Sequence, residues 1–513
     1  MNGKYYITTP IYYVNDVPHI GHAYTSIATD VIARFQRLNG KEVMFLTGTD
    51  EHGEKVEKSA IKAGIDTKSF TDKTSASFSE LMTCMNIAHD DFIRTTSSRH
   101  KECVRKFWQK LQDSHNIYLG TYSGWYSIID EAFYDKTELT SDGKAPTGTS
   151  VQWVDEPSYF FALSKWQDKL LEFYDANPNF IMPLSKRSEV INFVKNGLQD
   201  LSISRTSFTW GVKVPGDEGH VIYVWLDALV NYISALGYPE DHDGKYAKYW
   251  PADVHIVGKD ILRFHAIYWP AFLMAAGLKP PKSIMAHGWW TNQGQKISKS
   301  LGNVIDPFKL SKEFGVDQVR YFMMREITFG ADGNYSSENL IARVNSELAN
   351  KIGNLMQRTS ALVHKYYSGK VPQIDASLVE AAYNTPLMTI AVNIARQNIE
   401  FMESLEINSI LCNIITIAEQ GNLYIDQQAP WKLTDTDPSL AKFTLFVLLE
   451  ILRFIAIMLQ PFTPKAASAI LDQLSIPYNQ RNFAFLNKNY IIQAGSALLP
   501  PSPVFPKIDR IAD

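Results

Sequence analysis

Pro18-His19-Ile20-Gly21-His22 lies close to the N-terminus, between two stretches of very different texture. Ahead of it stand a short apolar run, Lys4-Tyr5-Tyr6-Ile7-Thr8-Thr9, and a loop containing Pro10 and Asp16. Behind it Ala23, Ile27, Val31 and Phe35 recur at spacings near four and the pattern stops before Gly40, so the order predicted is strand, turn, helix. Two imidazoles three residues apart in the first turn share one side of that helix. There they join unpaired amide N–H groups and the positive end of the dipole, an arrangement suited to an anion. Gly21 removes a side chain where a ligand would approach closely. The same residues also suit an ordinary helix start with two polar side chains, and the pentapeptide alone does not separate the two readings.

Working outward, Glu42-Val43-Met44-Phe45-Leu46 reads as a second strand, which makes a strand–helix–strand unit with a right-handed crossover and a parallel pair. Thr47-Gly48-Thr49-Asp50-Glu51-His52-Gly53 follows as a loop, then a helical pattern from Glu54 to Ala63. Polar residues just past the carboxyl ends of parallel strands are where such sheets bind ligands. The His19/His22 turn and the Asp50/His52 loop both follow strands, so they are expected on the same sheet edge.

From about 117 to 180 the texture changes: Tyr118, Tyr122, Trp125, Tyr126, Phe133 and Tyr134 cluster ahead of the turn-rich Thr140–Pro146, which reads as an insertion of small β elements. A helical stretch, Leu163–Phe173, returns to a core. Val221-Ile222-Tyr223-Val224-Trp225 and Val254-His255-Ile256-Val257-Gly258 resume the strand texture, followed by a helix from about Arg263 to Ala276 and an apolar strand, Ser283–Gly288. One nucleotide-binding sheet in two halves, separated by the insertion, is the simplest organisation. Lys296-Ile297-Ser298-Lys299-Ser300, between Gly294 and Gly302, reads either as a cationic loop able to close on a polyphosphate or as a solvated turn. From about 341 to 475 helical periodicity dominates and suggests a bundle.

Composition narrows the classes. A chain of 513 residues exceeds one core, so about two to four domains are expected. A net charge of −4 argues against wholesale nucleic-acid binding, yet residues 341–370 carry Arg343, Lys351, Arg358, Lys365 and Lys370 against Glu347 alone, either a contact surface or a solvated helix face. Phe443–Phe462 is the most membrane-like stretch, but Glu450, Arg453 and Gln460 interrupt it and favour a buried bundle helix. The N-terminus has no signal-like run, and Cys84, Cys103 and Cys412 never form a CxxC pair, which points to a reducing compartment, the cytoplasm, and away from a cysteine zinc site.

The ordered pair His19-Ile20-Gly21-His22 and Lys296-Ile297-Ser298-Lys299-Ser300 resembles the two signatures of class I aminoacyl-tRNA synthetases. The resemblance narrows to the methionyl branch through Tyr13-Val14-Asn15-Asp16, Thr49–Gly53, Ser204-Arg205, Trp225-Leu226-Asp227-Ala228, Gly258–His265 and Gln428–Lys432, and it covers essentially the whole chain. It implies an α/β fold: a split Rossmann-type parallel sheet with a small inserted connective domain, then an all-α anticodon-binding bundle. The boundaries expected are 1–116 and 201–305 for the two catalytic halves, 117–200 for the insertion, 306–345 for a junction and 346–513 for the bundle with its tail.

The same resemblance implies that methionine is activated by ATP to methionyl-adenylate and passed to tRNA(Met), initiator and elongator. His19, Gly21, His22, Lys296, Ser298, Lys299 and Ser300 would bind ATP, with His19, His22, Lys296 and Lys299 as the catalytic residues. Ile11, Tyr13, Asp50, Trp225, Ala228, Tyr232, Asp260, Ile261, His265 and Trp269 would bind methionine, Asp50 forming an orienting ion pair with Arg205. An aromatic pocket suits a polarizable thioether, although aromatics at helical spacing are equally ordinary core. Asn354, Arg358 and Trp431 would read the anticodon, an Asn/Arg pair one turn apart offering donors and Trp431 a stacking face or a core side chain.

Mg²⁺ is expected with ATP. No structural zinc is expected, because the cysteines that many methionyl enzymes carry near Tyr126–Asp130 are absent, and a monomer is expected because the chain ends soon after the bundle. Two other readings remain at this point: another class I synthetase or nucleotidylyltransferase with the same motifs, and a catalytically inactive RNA-binding homologue.

Overall fold

The computed structural model describes residues 3–130, 132–134, 136–292, 294–297 and 303–509, with backbone alone for 132, 133, 295 and 296. Its organising element is a parallel sheet in the spatial order Tyr12–Tyr13, Glu42–Asp50, Lys4–Thr8, Val254–Gly258, Ile284–His287, Ile181–Met182, with Asp91–Arg94 also paired to Glu42–Asp50. These strands are runs of β-branched, aromatic and other apolar residues, buried between layers of helices as parallel strands must be. Lys4–Thr8 is the seam: Ile7 sits beside Phe45 of the first half and beside Val254 of the second. At that seam the strand order reverses, which opens a crevice at the carboxyl ends where such sheets take ligands.

The helix Ile20–Leu38 covers this seam and is buried almost all round, from Ile20 to Gln36, because the sheet lies on one side and the helical region on the other. Three local readings differ from the structure. The strand beginning at Glu42 runs on to Asp50 rather than giving way to a loop at Thr47, since Leu46–Thr49 pair with Asp91–Arg94. Gly48 makes that pairing possible, because a Cβ there would collide with the Ile93 carbonyl. Val221–Trp225 is not a strand of the large sheet: Asp217–Ile222 pairs antiparallel in a separate three-stranded sheet, and a helix begins at Val224. The stretch read as one helix from Arg263 to Ala276 is a π-helical turn, Phe264–Tyr268, running into an α-helix, Trp269–Ala275, with a 3-10 turn at Lys259–Ile261 just ahead.

The insertion is a long hairpin, Ile117–Ser127 against Gln152–Phe161, joined by Ala132–Tyr134 and Leu201–Ser202. The chain re-enters the large sheet at Ile181, inside the stretch read as the insertion. Beyond Ser337 the fold is helical, and the helices starting at Pro386, Pro430, Pro438 and Pro464 all place proline in the first turn, where a missing N–H costs nothing. The membrane-like stretch lies, up to Leu459, in the helix Pro438–Leu459, the buried axis of the bundle. Its Arg453 bonds Glu450, Tyr383 and the Phe485 carbonyl, and among the described residues no helix is long and apolar enough to cross a membrane.

Candidate active site

His19 caps the Ile20–Leu38 helix: its Nδ1 accepts from Gly21 N at 3.1 Å, and His22 Nδ1 accepts from His19 N at 3.1 Å, a reciprocal capping box. The two rings stack with centroids 3.9 Å apart. An Nδ1 that accepts a backbone N–H carries no proton, so in the neutral rings the proton sits on Nε2. Burial, and after it the neighbouring His19 ring, push the His22 pKa well below the ordinary histidine value, so His22 is the neutral Nε2–H donor at physiological pH.

The second motif meets this turn through its exit. Ile20 N donates to Ile305 O at 3.1 Å, Asn292 Nδ2 donates to Asn303 O at 3.1 Å, and the backbone of Gln295–Lys296 pairs with Thr291–Asn292. The exit of the lysine-rich loop is therefore fastened at the first turn of the histidine helix, and Asn292 and Asn303 tie its two ends to each other. Ser298, Lys299 and Ser300 lie outside the described residues, as does the Lys296 side chain.

Asp50 ends its strand beside Tyr13 and is buried. Glu51 turns to the opposite side, held by Arg94 at 2.6 and 2.9 Å and by Thr49 at 2.8 Å. Arg205 is buried between the rings of Tyr126 and Tyr223, with Glu156 at 3.7 Å.

The aromatic residues converge. Trp225 stacks on Phe264 at 3.7 Å, Tyr232 lies 5.8 Å from His265 and 6.0 Å from Trp269, and Ile11, Tyr13 and Ile261 pack around them. A carbonyl only accepts, so His265 Nδ1 donates to Ile261 O at 3.0 Å and Nε2 accepts the Tyr232 hydroxyl at 2.7 Å. Burial lowers the His265 pKa to about 4, which keeps that tautomer neutral. Asp260 stands at the rim rather than among these rings, accepting Trp289 Nε1 at 3.1 Å.

A family model described as "tRNA synthetases class I (M)" matches residues 5–150 and 135–360, and one described as "Anticodon binding domain of methionyl tRNA ligase" matches residues 379–512. The chain belongs to the methionyl class I tRNA synthetase family. Within that family it is 64% identical over 509 residues to the methionine–tRNA ligase of Rickettsia felis (strain ATCC VR-1525 / URRWXCal2), with 99% of each chain aligned. It is 49% identical to that of Rhizobium meliloti (strain 1021), with 98% of each chain aligned. Mycobacterium tuberculosis methionyl-tRNA synthetase in complex with methionyl-adenylate superposes with a TM-score of 0.94 at 46% identity, covering 98% of this chain and 100% of that one. Its apo form superposes at 0.88 with 42% identity, covering 100% and 99%.

The residues that the synthetase resemblance assigned to anticodon reading also meet on one face. Asn354 Nδ2 donates to Asn422 Oδ1 at 2.9 Å, Arg358 pairs with Asp426 at 2.5 Å, and the guanidinium lies 5.9 Å from the Trp431 ring. Trp431 is 37% exposed, so a stacking face is available and the core reading does not hold. In the stretch where the resemblance raised a zinc knuckle, Asp130 Oδ2 accepts the hydroxyls of Tyr134 at 2.9 Å and of Thr147 and Thr149 at 2.5 Å, while Ser127 Oγ accepts from Asp130 N at 3.1 Å. These hard oxygen donors satisfy one another and do not fit the soft thiolate set of such a knuckle.

Residue reading missed Phe264, whose ring covers Trp225, and the buried His255, stacked 4.0 Å from Tyr232. Phe264 stood within Gly258–His265; for His255 no local signal separates it from strand filler. Burial lowers the pKa values of His22, His255, His265 and His287 alike. A histidine whose folded pKa is depressed binds its proton more readily when unfolded, so stability is lost as pH falls from the unfolded value near 6.5 toward the folded one. For His265 that gap runs from 6.5 to about 4, roughly 3 kcal/mol. Calorimetry should show the melting temperature falling between pH 7 and pH 4.5, with a shallower slope in His265→Gln. A melting temperature unchanged over that range counts against it.

Proposed function

We propose that this chain is a methionine–tRNA ligase that forms methionyl-adenylate from methionine and ATP and then passes the methionyl group to tRNA(Met). The observation that carries the reading is the Ile20 N–Ile305 O bond, which joins the exit of the lysine loop to the histidine turn beside the aromatic pocket. Methionine's ammonium is assigned to Asp50, with Arg205 as its ionic partner, and its thioether to the slot between Trp225, Ala228, Tyr232, His265 and Trp269. The substrate carboxylate oxygen bonds to the α-phosphorus while the bond to the bridging oxygen breaks, and pyrophosphate leaves with the electron pair. Nε2–H of His19 and His22 donate to the phosphate oxygens as charge builds, and Lys296 and Lys299 neutralise the departing pyrophosphate. A ribose hydroxyl at the tRNA end then attacks the acyl carbon and AMP leaves. Positioning and fixed donors do most of this work, since little covalent chemistry falls to the protein.

Mg²⁺ enters as part of the nucleotide substrate: among the described residues no group of three or more His, Cys, Asp or Glu side chains could hold an ion. Both halves of the ATP site and the anticodon face lie on one polypeptide, so a single chain is read as the working unit, acting where translation supplies its tRNA. The test is methionine-dependent ATP–pyrophosphate exchange by the purified protein. Exchange with another apolar amino acid but not with methionine would overturn the substrate. Trp431→Ala should weaken tRNA charging by the worth of one base stack, about 1–3 kcal/mol or 5- to 150-fold in kcat/KM. Exchange should stay within twofold in that variant, and equal loss in both assays would exclude anticodon reading by Trp431.

A further inference from the structure

His52, His100 and Asp227 come from three separate elements and meet in one buried cluster. Asp227 Oδ2 lies 2.6 Å from His52 Nδ1 and Oδ1 lies 2.8 Å from His100 Nε2, while His100 Nδ1 lies 2.9 Å from Ser234 Oγ. A carboxylate only accepts, so His52 donates from Nδ1 and His100 from Nε2, and a neutral His100 ring takes the Ser234 hydroxyl on Nδ1. Exposure is 3% for His52 and 0% for both His100 and Asp227. Burial alone would raise the Asp227 pKa, but the two imidazoles hold it well below the ordinary carboxylate range.

Such a cluster is a poor device for stability alone, because apolar side chains of the same volume pack as well without desolvating a charge. What it does is fix geometry. His52 is two residues beyond Asp50, in the turn latched on its other side by Gly53 N to Trp210 O at 3.2 Å and Trp210 Nε1 to Glu51 O at 2.6 Å. Asp227 sits on the Val224–Leu229 helix between Trp225 and Ala228. One carboxylate therefore ties the strand end that carries the ammonium anchor to the helix that walls the side-chain slot, and His100 braces it from a third helix, Ser98–Asp113.

We propose that the His52–Asp227–His100 cluster is a positioning device that sets the length of the amino-acid slot, and so governs methionine affinity and discrimination by side-chain length. The proposal rests on the ligase reading above; a wild-type protein without methionine-dependent exchange would sink that reading rather than this one. The test measures kcat and the KM values of methionine and ATP in exchange, together with selectivity for methionine over ethionine, one methylene longer. His52→Ala should raise the methionine KM about tenfold, with ATP KM within twofold, and erode length selectivity by about fivefold, a part of the roughly 10- to 200-fold that one methylene is worth. His52→Asn places an amide N–H near the Nδ1 position and should return both towards wild type, as should His100→Gln at the Nε2 position. Equal behaviour of His52→Ala and His52→Asn, matched changes in both KM values, or unaltered length selectivity in a folded variant would overturn the proposal. If His52→Ala does not fold, Asp227→Asn is the second arm, with the same split expected. Failure of both to fold would mark the cluster as structural only and also overturn the proposal.

Discussion

Replacing His22 by alanine should lower kcat for methionine-dependent ATP–pyrophosphate exchange by about 10²- to 10³-fold, the usual cost of removing one preorganised donor from a developing oxyanion. The methionine KM should stay near wild type, because the proposed donor acts on the phosphate and not on the amino acid. Two roles of this residue must be separated. Its Nδ1 closes the capping box by accepting from His19 N at 3.1 Å, and its Nε2 carries the proton available to a phosphate. Loss of a cap costs about 1 kcal/mol of stability, far too little to unfold a chain of this size or to account for a thousandfold in rate. His22→Asn keeps an acceptor near the Nδ1 position but has no group at Nε2; His22→Gln can place an amide N–H near Nε2. If the donor is what matters, the asparagine variant should be as slow as alanine and the glutamine variant should recover part of the rate. The opposite order would assign His22 to the helix cap and remove it from the chemistry.

The parts of this protein that were legible in the sequence are those whose physics is local. A helix start with His19 and His22, buried strand runs such as Val254–Gly258, and the apolar helix interrupted by Glu450 and Arg453 each carry their signal within a few residues. Readings failed where two local structures suit the same residues. Val221–Trp225 is a five-residue apolar run, which fits a buried strand or a helix, and pairing with Ser204–Arg205 ends the strand at Ile222. Thr47–Asp50 looked like a polar loop, and only its distant partners, Asp91–Arg94 on one side and Tyr12–Tyr13 on the other, make it strand. The site divides in the same way. The rings of the aromatic pocket follow helical spacing and could be grouped from sequence, whereas the contact of Asp227 with His100 joins residues 127 apart that no local pattern relates.

Arg320→Met should destabilise the protein by about 3–5 kcal/mol in reversible chemical denaturation, a large part of a typical domain's stability. Arg320 is fully buried and touches three elements: Asp30 of the histidine helix at 2.6 Å, the Met85 carbonyl at 3.0 Å, and the Pro461 and Phe462 carbonyls at 2.8 and 3.1 Å, where the axial helix of the bundle ends. The ion pair by itself would not require so large a loss, because Asp30 keeps Arg34 at 2.7 Å and Ala88 N at 2.8 Å when Arg320 is gone. Three carbonyls, however, lose their donor together, and each buried acceptor left unmade costs about 1–3 kcal/mol. Arg320→Lys tests the weighting: a lysine restores the charge but not the planar fork that reaches three elements, so it should recover less than half of the loss. Asp30→Asn combined with Arg320→Met separates the terms. If the ion pair dominated, removing both charges would be milder than removing Arg320 alone; if the carbonyls dominate, the double variant should be at least as unstable. We expect the second outcome. A loss under 1 kcal/mol in Arg320→Met, or a double variant more stable than the single, would show that this guanidinium is not what fastens the bundle to the nucleotide-binding half.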